Sequence, residues 1–262
     1  MYGIADLSIV PMRLEPSERS EMVSQVLFGE IFSIEEETEK WLKIKLQHDD
    51  YVGWIDRKMC IFVSDEYVTD YCKEEQLRTT EVFNIVNKTG DYSHKLIVGG
   101  SVLPFLDIET GKIRLGDEVI YSLVTKLREA GVGNIRDLLI EYAMMYYNTP
   151  YLWGGRTHYG IDCSGLTQMV YRLAGMALPR DASQQVRKGN TLSFLEEAQA
   201  GDLAFFGDND GFITHVGIIW QDNRIIHASG RVRVDRIDHI GIFNEDLKRY
   251  THQLKVIKTM IL

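Results

Sequence analysis

Residues 151–165 read Tyr-Leu-Trp-Gly-Gly-Arg-Thr-His-Tyr-Gly-Ile-Asp-Cys-Ser-Gly, and the residues after them have the period of a packed helix. Leu166, Met169, Val170, Leu173 and Ala174 fall at i, i+3, i+4, i+7 and i+8, and Gly175 is a natural stop. Cys163 therefore opens a helix. The partial positive charge of a helix N-terminus favours thiolate over thiol, so the position suits a nucleophile for acyl transfer. Asp162 pulls the other way, because an acidic neighbour raises a thiol pKa. Standing before the helix, it is a cap for backbone N–H groups. As a carboxylate beside a nucleophile, it also suits a cation such as a substrate's free amino terminus.

A thiol needs an imidazole for proton transfer. His215 starts an apolar strand after a loop containing Gly211 and is the expected base; His227 ends the next strand and is placed to orient it. The two share a sheet face only if the loop between their strands has an odd number of residues. Direct opposition centres the hairpin on Gln221, whereas a two-residue Asp222-Asn223 turn puts them on opposite faces. A working pair thus predicts an odd loop or a bulge. The plainer readings stand beside this one. A lone cysteine opening an apolar helix is more often structural, and His227 reads equally well as a hydrogen-bonded core histidine.

His48, His94, His158, His239 and His252 lie in polar loops or strand ends and are read as surface residues, His158 being near the motif. No HxxxH or HxH spacing occurs, so neither a metal nor another cofactor is expected. Cys60, inside Met59-Cys60-Ile61-Phe62-Val63, reads as a buried structural thiol, and Cys72 has no assigned role. Three cysteines without a CxxC pair suggest neither a disulfide framework nor a zinc site and fit a reducing compartment.

The chain has 262 residues, 45% hydrophobic and 26% charged, with a formal net charge of -9. That composition is globular, and the acidic balance argues against a nucleic-acid partner, which needs clustered cations. No apolar run is long enough for a membrane span. The N-terminus lacks the basic and apolar regions of a signal peptide. The expected location is the cytoplasm, with export after removal of a signal as the alternative; a monomer is expected.

Upstream of the motif the chain reads as β-rich. Strands are expected at Gln25–Phe28, Glu30–Ile34, Trp41–Leu46 and Tyr51–Ile55, then a polar linker helix from Ser64 to Leu77, then strands at Lys95–Val98, Ser101–Asp107 and Asp117–Ser122. Downstream, Ile135, Leu138, Leu139, Tyr142 and Met145 make a helix that ends before Pro150. Leu203–Phe206, His215–Trp220 and Arg224–Ser229 read as strands. The expected division is 1–62, a small β-barrel; 63–125, the linker helix and a second small barrel; and 126–262, an α+β catalytic domain.

Six motifs occur in order: Tyr151-Leu-Trp-Gly-Gly, Asp162-Cys163-Ser164-Gly165, Leu178-Pro179-Arg180-Asp181-Ala182, Ala200-Gly201-Asp202-Leu203-Ala204-Phe205-Phe206, Thr214-His215-Val216-Gly217-Ile218 and Ile226-His227-Ala228-Ser229. Together they resemble the NlpC-type cell-wall peptidases, whose fold is papain-like with a rearranged chain order. The resemblance implies Cys163 as nucleophile, His215 as base and His227 as its orienting residue. Ser24–Glu30, Trp41-Leu-Lys-Ile and Tyr51-Val-Gly-Trp-Ile resemble bacterial SH3-like domains. The combination resembles γ-D-glutamyl-L-diamino acid endopeptidases acting on murein peptides with a free N-terminal L-Ala. In that group the residues flanking the cysteine and an Asp-Ser pair after Pro-Arg line the substrate site, which here implies Asp162, Ser164, Asp181 and Ala182. Ala182 departs from the serine and loses its hydroxyl. Tyr151 is the implied aromatic of the site, and Tyr51 and Glu21 are the implied contributions of the first SH3-like domain, which closes one side against longer N-terminal extensions.

The implied reaction is cleavage of L-Ala-γ-D-Glu-diamino acid peptides after D-Glu, in peptidoglycan recycling or turnover. Two other classes fit the same motifs: a thiol-dependent amidase or acyltransferase, which differs in its products, and a non-catalytic muropeptide-binding module, which would not need Cys163.

Overall fold

The strand Trp41–Leu46 buries every second residue, Leu42, Ile44 and Leu46, as period-two alternation dictates for a half-buried strand. The computed structural model describes residues 1–73, 75–91, 94–125, 127 and 133–261, and the chain divides into two units, Met1–Ala130 and Gly131–Leu262. The expected boundary after 125 meets residues 126 and 128–132, which lie outside the described residues.

In the first unit a seven-stranded antiparallel sheet places Trp41–Leu46 between Val52–Asp56 and Ile31–Glu37. Its strands wrap Val10, Met12, Val26, Phe32, Leu42, Ile44, Leu46 and Ile55. Cys60 only packs on the edge of this cluster. It is half-buried rather than buried, and burial still raises its thiol to about 11. The linker helix is α1 (Asp65–Lys73), shorter than expected at both ends. The following stretch is a four-stranded sheet with a two-stranded pair, not a barrel around its own core: Val86, Ile97, Leu103, Ile113, Leu115 and Tyr121 share one cluster with Ile4, Phe28, Ile31 and Val63 of the first sheet and Tyr67 of α1. The strand expected over Ser101–Asp107 is only Val102–Leu103. Pro104 lacks an N–H for a ladder, and Phe105 is left-handed at φ 52.

The second unit opens with α2 (Ile135–Met145), capped by the Asn134 side chain, which accepts from Arg136 N–H. Next come α3 (Cys163–Leu173) and the short α4 (Ala182–Gln185). Gly175 ends α3 in the left-handed conformation, φ 80, and Met176 N–H reaches back to Tyr171 O at 2.8 Å, a Schellman stop. The strands Leu203–Gly207, Ile213–Ile219, Arg224–Ser229, Arg231–Ile237 and Gly241–Asn244 follow in ladder order. The long strand Arg249–Thr259 then pairs with both ends of that series, so the six strands close on themselves around Ala204, Phe206, Ile219, Ile225, Ile237, Ile242 and Ile257. Helix α3, buried along its whole length, packs outside on Ile213–Ile219 and Arg224–Ser229. A nucleophile at a helix start is thereby brought against the two strands that carry the histidines.

Candidate active site

The start of α3 is fixed by charge and by close backbone approach. Asp162 caps it, with Oδ1 accepting Gly165 N–H at 2.6 Å and Oδ2 accepting Gly154 N–H at 2.8 Å. A side chain at Gly165 would put its Cβ 2.3 Å from Gly155 O, so the Trp-Gly-Gly and Asp-Cys-Ser-Gly motifs are two halves of one contact. Arg180, 1% exposed, donates to both Asp162 oxygens at 3.0 and 2.6 Å and to Ser164 Oγ at 3.0 Å. Ser164 in turn donates to Asp162 at 3.3 Å. Asp162, expected to meet a substrate ammonium, is also engaged inside the protein, by a bidentate guanidinium and two amides. Arg180, quoted in a motif but given no role, is the residue that sequence reading missed here.

Burial pushes the Cys163 thiol up to about 12, with Asp162 adding to the rise. The Val216 and Ser164 amides, which hydrogen-bond the sulfur, and Arg180 oppose it without winning. Burial thus works against the thiolate that the helix terminus favours. The Val216 contact seats the sulfur against the backbone next to His215.

The histidines sit on one face. Asp222 and Asn223 form a two-residue turn, both left-handed at φ 56 and 53, with Arg224 N–H donating to Gln221 O. The ladder nevertheless resumes as Ile219↔Ile225, Ile218↔Ile226 and Gly217↔His227, so Trp220 is an extra residue that restores a common face. His215 is then the diagonal neighbour of His227, and its Nε2 lies 2.9 Å from His227 Nδ1. Gly217, directly opposite His227, leaves the room: a Cβ there would lie 3.0 Å from His227 Cβ. Burial first, then the neighbouring His227 and His252 rings, hold His215 well below an ordinary imidazole pKa.

Three groups beyond the expected pair complete the cluster. His227 Nε2 is 3.0 Å from Asp235 Oδ2, and Arg233 lies 2.7 and 2.8 Å from the two Asp235 oxygens. Burial raises the Asp235 carboxyl, but the His227 and Arg233 hydrogen bonds outweigh it and the net shift is down. His252, read as a surface residue, is half-buried and stacks on His215, with ring centroids 4.1 Å apart. His158 is likewise no surface residue: its ring stacks on Tyr146 at 3.9 Å, and burial lowers its pKa to about 4. Although the sequence has no metal-binding spacing, ring nitrogens of His215, His227 and His252 lie within 4.8 Å of one another and offer a ligand set. A metal there would have to displace the His215–His227 hydrogen bond.

A cleft of about 310 Å³ runs along these residues, lined by Tyr151, Thr214, His215, Ala228, Ser229, Gly230 and His252. Burial raises the Tyr151 phenol to about 12, with Cys163 and Asp162 contributing, so it stays protonated and can donate. Asp181 is half-buried at the start of α4, and Ala182 is buried behind it. Gln185 ties this segment to α3, donating to Ser164 O and Pro179 O at 3.0 and 2.8 Å. Glu21 and Tyr51 belong to the first unit, Glu21 exposed and Tyr51 half-buried against the sheet core.

A buried thiol at a helix start, against strand-borne imidazoles, is the arrangement of a papain-like cysteine hydrolase. Residues 148–252 match the NlpC/P60 family and residues 12–58 match the bacterial dipeptidyl-peptidase Sh3 domain. The chain thus carries an NlpC/P60 domain behind a bacterial dipeptidyl-peptidase SH3 domain, and it is a hydrolase. It is similar to dipeptidyl-peptidase 6 of Lysinibacillus sphaericus, 28% identical over 94% of this chain and 96% of that one. It is also similar to the gamma-D-glutamyl-L-lysine dipeptidyl-peptidase of Bacillus cereus, 25% identical over 80% and 68%. The crystal structure of an NlpC/P60 family protein from Bacillus cereus shares the fold across 99% of both chains, with a TM-score of 0.81 at 19% identity.

Proposed function

We propose that this protein hydrolyses the bond between γ-D-Glu and a diamino acid in cell-wall peptides that begin with a free L-Ala, releasing L-Ala-γ-D-Glu. The observation that carries the reading is the Cys163–His215–His227 cluster within a domain whose full-length relatives bear dipeptidyl-peptidase names. Removing a dipeptide requires an unblocked N-terminus. Asp162, though held by Arg180, and Asp181 are assigned to that amino terminus on the strength of the resemblance. Tyr151 lines the cleft, and Ser164, Tyr51 and Glu21 are assigned to substrate on the strength of the resemblance alone. The reading also assigns the work to peptide recycling in the cytoplasm.

The chemistry starts from a neutral pair. As the Cys163 sulfur attacks the γ-amide carbonyl, His215 takes the thiol proton, so thiolate and imidazolium form only during the attack. The Cys163 backbone N–H and the protonated Tyr151 hydroxyl donate to the developing oxyanion. The His215 imidazolium protonates the departing amine, leaving a thioester on the D-Glu side chain, and a water deprotonated by His215 hydrolyses it. His215→Ala should lower turnover by a factor on the order of 100 to 10,000.

The test is a paired assay of the free tripeptide L-Ala-γ-D-Glu-L-Lys and the same peptide acylated on its L-Ala amine. Strong preference for the free peptide is expected. Equal turnover of both would remove the free-amine requirement from the account.

A further inference from the structure

We propose that Asp235 sets the ring tautomers of both histidines and thereby leaves His215 Nδ1 as the unprotonated nitrogen that accepts the thiol proton. Asp235 is thus a positioning residue acting through His227. The inference rests on the reading of His215 as the base.

A carboxylate only accepts hydrogen bonds, and a neutral imidazole carries one N–H and one bare nitrogen. Asp235 is 3% exposed and faces His227 Nε2 at 3.0 Å, so that nitrogen carries the proton. His227 Nδ1 is then the bare one and can only accept. At 2.9 Å from it, His215 Nε2 must donate. The single proton of neutral His215 is thereby spent on Nε2, and Nδ1 is left bare for Cys163. Each step is forced by the one before, and the order begins at the carboxylate.

Arg233 keeps the starting point fixed. It lies 2.7 Å from Asp235 Oδ2 and 2.8 Å from Oδ1, and 2.9 Å from Asp246, so the carboxylate is oriented and held as the anion. The strand register places the group without strain. Arg233 stands directly opposite His227, and Asp235 follows two residues later on the same face. When His215 takes the thiol proton onto Nδ1, its Nε2–H stays on His227, and the new positive charge is met through His227 by the Asp235 carboxylate. No proton need leave the chain.

The experiment reads the ring nitrogens themselves. Long-range ¹H–¹⁵N correlation spectra of histidine-labelled full chain at pH 8 distinguish protonated from bare nitrogens, with His215, His227 and His252 assigned by single substitution. Both His215 and His227 should be protonated at Nε2 and bare at Nδ1. In Asp235→Ala the His227 ring should lose that fixed order, and kcat should fall by a factor on the order of 100 with little change in KM. A wild-type spectrum with His227 protonated at Nδ1 overturns the proposal, whatever the variant does. So does an Asp235→Ala spectrum unchanged from wild type. If the rings behave as expected and no peptide is cleaved, the functional reading fails and the tautomer assignment stands.

Discussion

Gly217 stands directly across the ladder from His227, and the volume its missing side chain leaves is where His227 approaches His215. An added Cβ would meet Ile225 Cδ1 at 2.7 Å and His227 Cβ at 3.0 Å. Gly217→Ala should therefore displace the His227 ring and lengthen the 2.9 Å hydrogen bond to His215. Steady-state kinetics should show kcat lowered by about tenfold or more with KM little changed, because a positioned acid/base is being moved. Unchanged kcat would mean that the His215–His227 contact does not matter to turnover.

Arg180 and Asp162 form a buried pair whose removal from one side leaves the other uncompensated. Arg180→Met should cost about 3–5 kcal/mol in urea unfolding, the range for stranding a buried charge. It should also slow alkylation of Cys163 by iodoacetamide, since Arg180 is one of the groups holding the thiol pKa down. A loss below about 1 kcal/mol, typical of exposed pairs, would contradict the buried pairing.

The pH profile separates a neutral resting pair from a thiolate–imidazolium one. Cys163 is raised to about 12 and His215 is held well below 6.5. Base function needs neutral His215, so kcat/KM should be lost only as pH falls through the depressed His215 pKa, below pH 6.5. It should stay flat up to about pH 9, since the thiol titrates well above its ordinary range. A descending limb near pH 8 would contradict this, as would thiolate absorbance at 240 nm in the resting enzyme near pH 6.

His158 gives a stability prediction with a definite sign. Its folded-state pKa is lowered from 6.5 to about 4 by burial, so it is neutral in the fold where the unfolded chain would take a proton. Its contribution is fully present above pH 6.5 and is lost as pH falls toward 4, up to about 3 kcal/mol in all. His158→Phe, which keeps a ring for Tyr146 to stack on, should flatten the fall in Tm between pH 6.5 and 4.5. An equal fall in both proteins would mean that other groups carry the acid sensitivity.

Local patterns made much of this site legible. The α3 period, the Asp162 cap and the Gly175 stop are contacts within a few residues, and a common face for His215 and His227 needs the extra residue found at Trp220. What escaped lies on strands whose alternation is filled with charge. Arg231–Ile237 and Arg249–Thr259 carry Asp235 and His252, and neither reads as an apolar strand. Their importance comes from register with His227 and from closure of the sheet on itself, both long-range. Arg180 was hidden for another reason. A carboxylate beside a nucleophile invites a substrate cation, and only the fold brings a guanidinium eighteen residues away onto it. The thiol's protonation state depended on burial outweighing the helix terminus, a balance of magnitudes that spacing does not carry.

The most direct measurement is mass spectrometry of the products from L-Ala-γ-D-Glu-L-Lys, run with the wild-type chain and with Cys163→Ala. The account predicts free L-Lys and the dipeptide L-Ala-γ-D-Glu from the wild type, their masses summing to the tripeptide plus one water, and intact tripeptide from Cys163→Ala. Cleavage at another bond, transfer to an acceptor in place of water, or equal release by Cys163→Ala would contradict it.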